Sequence, residues 1–81
     1  MKLKHMNKYV YSESTQDYWP QIKTTSAKSY NDCVEKIILQ YGNELEDDKI
    51  IDTIDDWNQL REYLNDNYYI ALSDLEDIDE L

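Results

Sequence analysis

The chain has 81 residues, with eight Lys and Arg against eighteen Asp and Glu, which gives a formal net charge of −10. A chain of this length forms one small domain with a modest core. Its acidity argues against direct binding to nucleic acid or to an anionic membrane surface, because both need clustered Lys and Arg. The single cysteine, Cys33, rules out an intrachain disulfide and favours a reducing, cytoplasmic location. No signal peptide or membrane span is predicted.

The first part of the chain predicts two antiparallel strands. Residues 8–13 alternate and are rich in Tyr and Val, so that Tyr9 and Tyr11 share one face. Residues 12–17 have the polar side chains of a turn, and Pro20 cannot donate to a sheet ladder. The β-branched stretch Gln21–Ala27 predicts the second strand, and the short connection makes the pair antiparallel.

A helix is predicted to follow, with Ser29 as its N-cap. Its apolar stripe consists of Tyr30, Cys33, Val34, Ile37, Ile38 and Tyr41. Cys33 lies near the edge of this stripe, which favours a buried structural thiol. Gly42, the only glycine, is predicted to be the C-cap. Leu39 lies opposite the stripe, close to Asp32 and Glu35, where it favours a contact with a partner or a second copy.

The second half predicts an acidic loop, a helix and a strand. The loop is Glu44–Lys49, and Thr53 is predicted to cap a helix whose stripe is Ile54, Trp57, Leu60 and Leu64. Residues 65–67 end this helix, residues 68–72 form a third strand, and residues 73–81 form a short helix or a frayed acidic tail. The predicted fold is one α+β domain of order ββααβ, with a three-stranded antiparallel sheet and two helices on one face.

The charge is distributed very unevenly along the chain. Residues 1–40 contain six Lys and four acids, a net charge of +2, whereas residues 41–81 contain two bases and fourteen acids, a net charge of −12. On the second helix, Asp55, Gln59, Glu62 and Asp66 point away from the apolar stripe. A solvated helix face usually mixes Lys with Glu, but Arg61 is the only base here. This imbalance adds weight to a binding surface, and an ordinary solvated face stays open as the other interpretation.

The predicted partner-binding surface extends this ridge with the acids that precede it. Its residues are Glu44, Glu46, Asp47, Asp48, Asp52, Asp55, Gln59, Glu62 and Asp66. Carboxylates separated by about 6 to 10 Å along a helix can occupy a groove of Lys and Arg that normally holds a phosphate backbone. Tyr18 and Trp19 are the candidate aromatic anchors.

No motif for catalysis, metal binding or cofactor binding is present. The acidic stretches lack the central Gly of an EF-hand loop. A zinc site would need His5, the only histidine, together with Cys33 and carboxylates that have no motif spacing. One glycine cannot build a phosphate-binding loop. The sequence therefore predicts no enzyme, no metal and no cofactor.

In size, acidity and lack of catalytic motifs the chain resembles phage anti-restriction and anti-CRISPR proteins. The resemblance is one of character and not of a sequence motif. It implies an inhibitor that mimics nucleic-acid charge and blocks the basic channel of a DNA- or RNA-acting enzyme. The alternatives are an immunity protein that neutralises a nuclease toxin, and a generic protein–protein interaction domain with a solubilising acidic face. The expected state is a monomer or a weak homodimer.

Overall fold

Strand β1, Asn7–Ser14, is central to the sheet in the computed structural model, which describes residues 6–78. Strand β2, Gln21–Ala27, pairs with β1 antiparallel. The short strands β3, Ala71–Leu72, and β4, Glu76–Asp77, both pair antiparallel with the other side of β1. The predicted α+β class and antiparallel sheet are confirmed, but the sheet has four strands where the sequence predicted three.

A β-bulge separates β3 from β4. Glu13 lies opposite Leu72, whereas Tyr9 lies opposite Asp77. The returning segment therefore has one more residue than β1 over the same stretch, which is the definition of a bulge. A bulge shifts the alternation of side chains, so that residues three apart can both face inward.

The bulge turns both Leu72 and Leu75 into the core. At the bulge the side chain of Ser73 takes the place of a backbone acceptor. Its Oγ accepts a hydrogen bond from the Ser12 N–H at 2.9 Å. The Ser73 N–H donates to the Ser12 carbonyl at 3.0 Å. The predicted short C-terminal helix is thus absent from residues 73–78, and residues 79–81 lie outside the described range.

Helix α1, Tyr30–Glu44, begins where the sequence predicted. Ser29 Oγ accepts a hydrogen bond from the Asp32 N–H at 3.1 Å, and Asp32 Oδ2 accepts one from the Lys28 N–H at 3.1 Å. These two contacts satisfy backbone donors at the helix start.

The predicted C-cap at Gly42 is wrong. The helix continues through Gly42, which has no positive φ, to Glu44, and the Leu45 N–H then donates to the Tyr41 carbonyl. Tyr41 is buried and Leu45 packs against the core. The extra residues are kept helical because this packing continues past the glycine.

The second helix begins later than predicted. Thr53 ends a 3₁₀ helix, Lys49–Thr53, which is capped by the side chain of Asp48. Helix α2, Trp57–Tyr68, starts after Asp56, whose Oδ1 accepts from the Gln59 N–H at 2.9 Å. Asp is as good an N-cap as Thr. The 3₁₀ turn also places Ile51 in the core, where it is 2% exposed.

The end of α2 also differs from the prediction, because residues 65–67 remain helical and Tyr68 is not in a strand. The helix stops at Tyr69, which has a left-handed conformation with φ of 57°. The N–H groups of Tyr69 and Ile70 both donate to the Leu64 carbonyl. Glycine is the usual residue at such a position, and no glycine is available in this segment.

Both helices pack on one face of the sheet, as predicted. The inward face of β1 contributes Tyr9 and Tyr11 to a single core cluster. The helices and neighbouring segments contribute the other members, Ala27, Cys33, Val34, Ile37, Ile38, Tyr41, Ile51, Trp57, Leu60, Leu64, Leu72 and Leu75. Within residues 6–78, neither helix has the length and apolar character needed to cross a bilayer.

Trp57 joins three parts of this core. Its ring packs edge-on against Tyr11, with ring centroids 5.2 Å apart, and its Nε1 donates to the Ser73 carbonyl at 3.0 Å. The side chain is 4% exposed. Trp57 therefore connects the start of α2 to both β1 and the bulge.

A polar network ties α1 to the sheet. The Tyr41 hydroxyl donates a hydrogen bond to the Glu13 carboxylate, and Lys23 Nζ lies 3.1 Å from Glu13 Oε1. Burial and this hydrogen bond raise the pKa of Tyr41 above its ordinary value. Burial, with Glu13 nearby, raises the pKa of Tyr11 to about 12.

Replacing Trp57 with Ala is expected to lower the free energy of unfolding by about 3–5 kcal/mol, because it removes a buried ring and an indole hydrogen bond. Urea unfolding followed by circular dichroism measures the loss. The matched control is Trp19→Ala, because Trp19 is 88% exposed and should change stability by no more than about 0.5 kcal/mol. Equal losses in the two variants would contradict the anchoring role of Trp57.

The protein is expected to lose stability as the pH rises from about 10 to about 12. Tyr11 has an ordinary pKa of 10.0 and a folded pKa of about 12, so its contribution is complete below pH 10 and is lost as the pH rises through the folded value. Tyr41 acts in the same direction. Urea midpoints across this range test the prediction. Tyr11→Phe should flatten the decline, whereas Tyr18→Phe, at an exposed position, should leave it unchanged.

Candidate acidic binding surface

Among residues 44–74, one carboxylate of the second half, Asp74, forms an ion pair with Lys or Arg of the described chain. Three ion pairs join described residues: Lys23 with Glu13, Lys36 with Asp32, and Arg61 with Asp74. Within residues 6–78, none of the residues predicted to bind a partner forms an ion pair with Lys or Arg. Their charge is therefore available to a partner and is not neutralised within the described chain.

The acids that follow α1 surround the 3₁₀ helix. Glu44, Glu46, Asp47 and Asp52 are all exposed. Asp48 is half-buried, caps the 3₁₀ helix, and accepts a hydrogen bond from the Tyr68 hydroxyl at 2.7 Å. That hydrogen bond raises the pKa of Tyr68. Asp48 is thus a structural residue as well as part of the acidic surface.

Two acids of the predicted binding surface lie where a helix disfavours negative charge. Glu44 is the last residue of α1, Asp66 lies in the last turn of α2, and neither last turn contains a basic residue. The carboxyl end of a helix has the equivalent of about half a negative charge, which favours Lys or Arg there. A carboxylate at either position therefore lowers the stability of the fold. A surface that served only solubility would not need acids at these two positions.

A groove lies between α1 and the segment that contains the 3₁₀ helix and the start of α2. We call it the acidic groove. Its volume is about 640 Å³. The residues that line it are Tyr30, Asn31, Asp32, Val34, Glu35, Ile38, Leu39, Gly42, Asn43, Ile51, Asp52, Ile54, Asp55, Asp56 and Trp57. It combines apolar side chains with five carboxylates, and within residues 6–78 no Lys or Arg lines it.

The groove brings together residues that sequence reasoning treated separately. Asp52 and Asp55 were predicted for the binding surface, but Glu35 was not, and all three carboxylates are exposed in the groove. Asp32 and Asp56 also line it, although both act as helix caps. The signal in the sequence is Leu39, which lies close to Asp32 and Glu35 on α1, but no local pattern connects it to the second helix.

The predicted ridge on α2 is not one straight row. Asp55 precedes the helix and lines the acidic groove, while Gln59 Oε1 accepts a hydrogen bond from the Asp55 N–H at 3.0 Å. Glu62 and Asp66 remain exposed on the outer side of α2, about 6 Å apart along its axis. They border a shallow depression that also includes Arg61. The surface therefore has two parts, the groove and the outer side of α2.

The candidate aromatic anchors lie in the loop between β1 and β2. Tyr18 and Trp19 are both highly exposed, and neither lines the acidic groove. Tyr69, at the end of α2, is also exposed and lines a shallow depression with Thr15 and Asp66. Of these aromatic side chains, Tyr69 therefore lies beside Asp66, on the outer part of the acidic surface.

Two kinds of group could suggest chemistry other than binding, namely a reactive thiol and a metal site. Cys33 is fully buried, as predicted, and burial raises the pKa of its thiol to about 11, which keeps it protonated at neutral pH. Over the described range, no three side chains of His, Cys, Asp or Glu are arranged to hold a metal ion. His5 lies outside that range.

Comparison with known proteins gives no relatives. No protein-family model matches the chain, and neither curated proteins nor solved structures show a significant similarity to it. Function must therefore be inferred from the geometry and charge of the molecule itself.

The pair of substitutions Glu44→Gln and Asp66→Asn is expected to raise the free energy of unfolding, by about 0.3–1 kcal/mol for each site at low ionic strength. Each removes a negative charge from the carboxyl end of a helix, and the gain should shrink as salt is added. Urea unfolding at two salt concentrations measures it. As a contrast, Asp56→Ala should lower stability by about 1 kcal/mol, because it removes the α2 cap. No gain from the pair at low salt would contradict the electrostatic argument.

Proposed function

We propose that this protein is a small acidic inhibitor that mimics the charge of nucleic acid. Its partner is a protein with a basic groove, such as a nuclease or a defence effector that acts on DNA or RNA. The protein itself catalyses no reaction and binds no nucleic acid directly. Its role is to occupy the channel in which the partner normally holds a phosphate backbone.

One observation carries the proposal: the acids of the binding surface have no ion-pair partner among residues 6–78. Glu44 and Asp66 support it further, because both lie at helix ends where negative charge reduces stability. A surface that only served solubility would gain by pairing acids with Lys along each helix. Retaining unpaired acids at a loss of stability is more consistent with selection for binding.

The mechanism follows from electrostatics. The net charge of −12 in residues 41–81 accelerates encounter with a cationic channel. In the complex, carboxylates such as Glu62 and Asp66 form charge-assisted hydrogen bonds with the Arg and Lys that otherwise contact phosphates. Exposed aromatic side chains such as Trp19 supply apolar contacts around these pairs. Inhibition is then competitive with nucleic acid.

Two alternatives use parts of the same surface. An immunity protein that neutralises a nuclease toxin would bind by the same electrostatics, and it differs only in the origin of the partner. A generic interaction domain would bind mainly through apolar contacts, and its affinity would change little with salt. Mimicry requires steep weakening with salt, because exposed charges are screened over roughly 8–10 Å.

The double variant Asp55→Lys with Glu62→Lys is expected to fold normally and to lose the partner. Both side chains are exposed, so the reversal changes the surface and not the core. The immobilised chain is exposed to a bacterial lysate, and retained proteins are then eluted with duplex DNA or with RNA. A partner of the proposed kind is released by nucleic acid, and its enzymatic activity is inhibited by the wild-type chain.

The matched control is Glu76→Lys with Thr24→Lys and Ser26→Lys, which changes net charge by the same amount at exposed positions of the sheet, away from the binding surface. This control should keep the partner. If both variants lose it equally, only total charge matters and the specific surface is wrong. If retained proteins resist both salt and nucleic acid, charge mimicry is excluded.

A further inference from the structure

The acidic groove has features that charge mimicry alone does not need. A phosphate mimic requires carboxylates on an open surface, whereas this groove has an apolar floor. Val34, Ile38, Ile51 and Trp57 line it, but all four are buried members of the core and expose little surface. The apolar surface that a partner could contact therefore comes from the other apolar side chains that line the groove.

Apolar side chains on the groove also remain exposed. Leu39 is 65% exposed, and Tyr30, nine positions earlier at the start of the same helix, is also exposed. Ile54, on the opposite wall, is half-buried. Single exposed apolar residues are ordinary, but three that line one groove form a surface suited to another apolar element.

The length of the groove matches that of a short helix. The lining residues of α1 extend from Tyr30 to Asn43, which corresponds to about 20 Å at the rise of an α-helix. An α-helix of three to four turns has about the same length. Binding of an amphipathic helix in an apolar groove is a common form of peptide recognition.

The charge of the groove selects the kind of helix. The exposed carboxylates of Glu35, Asp52 and Asp55 line the groove, and among the residues that the structure describes no Lys or Arg does. An occupant therefore needs an apolar stripe flanked by Lys or Arg. A second copy of this chain is disfavoured, because each copy has a net charge of −10.

We infer that the acidic groove binds a basic amphipathic helix of the partner protein, with the apolar stripe of that helix against Leu39 and Ile54 and its Lys or Arg side chains paired with Glu35, Asp52 and Asp55. The inference rests on the proposed function for the cationic character of the partner. It adds the site of contact and the structural element that the partner supplies.

The test uses the full chain, labelled with ¹⁵N, and three synthetic peptides of about 13 residues, the length that fits the groove. The first has Leu at i, i+3, i+4 and i+7 and Lys elsewhere, so that it forms a basic amphipathic helix. The second has the same composition without the stripe. The third has Glu in place of Lys. Amide chemical shifts locate the binding site and give the affinities.

The inference predicts that the first peptide binds at least about tenfold more tightly than the second and that its shift changes cluster around Leu39, Ile54 and Asp55. The third peptide should not bind. Leu39→Ser should weaken the first peptide by about tenfold. Ile22→Ser is the matched control, because Ile22 is 70% exposed on the sheet and lies outside the groove.

Several results would overturn the inference. They are equal binding of the first two peptides, shift changes spread over all the acidic residues, no effect of Leu39→Ser, or no binding of the first peptide. Shift changes that depend on protein concentration without peptide would assign the groove to self-association instead.

The peptide test and the capture experiment can fail independently. Leu39→Ser removes no charge, so a partner held only by charge mimicry should still be captured and released by nucleic acid. Failure of the peptide test with successful capture would remove the helix-binding groove and leave the proposed function. Peptide binding without a partner that nucleic acid displaces would keep the helix-binding groove and remove the proposed function.

Discussion

The packing of Trp57 is the interaction on which the rest of the structure depends. Its ring contacts Tyr11 of β1, and its indole N–H binds the Ser73 carbonyl at the bulge. This single side chain thereby fixes the start of α2 against the sheet and helps to hold the returning segment beside β1. Trp57 also lines the acidic groove.

The acids of this protein have two opposite effects on stability. Asp32 and Asp56 lie at the amino ends of helices, where they cap backbone N–H groups and stabilise the fold. Glu44 and Asp66 lie at the carboxyl ends, where their charge is unfavourable. A partner with Lys and Arg can supply the missing compensation, so complex formation would relieve the repulsion. Under the proposed function, the free domain therefore has unfavourable charges that a cationic partner would compensate.

The two parts of the acidic surface suit different kinds of contact. The outer side of α2 presents Glu62 and Asp66 to solvent with little apolar surface between them. The acidic groove places carboxylates around apolar side chains, among them Leu39 and Ile54. Under the proposed function, the first arrangement would contribute mainly to encounter and to competition with phosphate. The second can add apolar contacts, and with them discrimination between one cationic protein and another.

The sequence alone determined the elements that depend on local interactions: β2, the Ser29 cap, the stripe of α1 and the concentration of charge in the second half. It also placed Leu39 beside Asp32 and Glu35. The tertiary structure decided where α2 begins and ends, the bulge that turns Leu75 inward, and the pairing of β4 with β1. It alone brought Glu35 and Asp55 to one groove. Helix caps and apolar stripes involve residues three or four apart, whereas the bulge and the groove require contacts between segments distant in sequence, which no local pattern specifies.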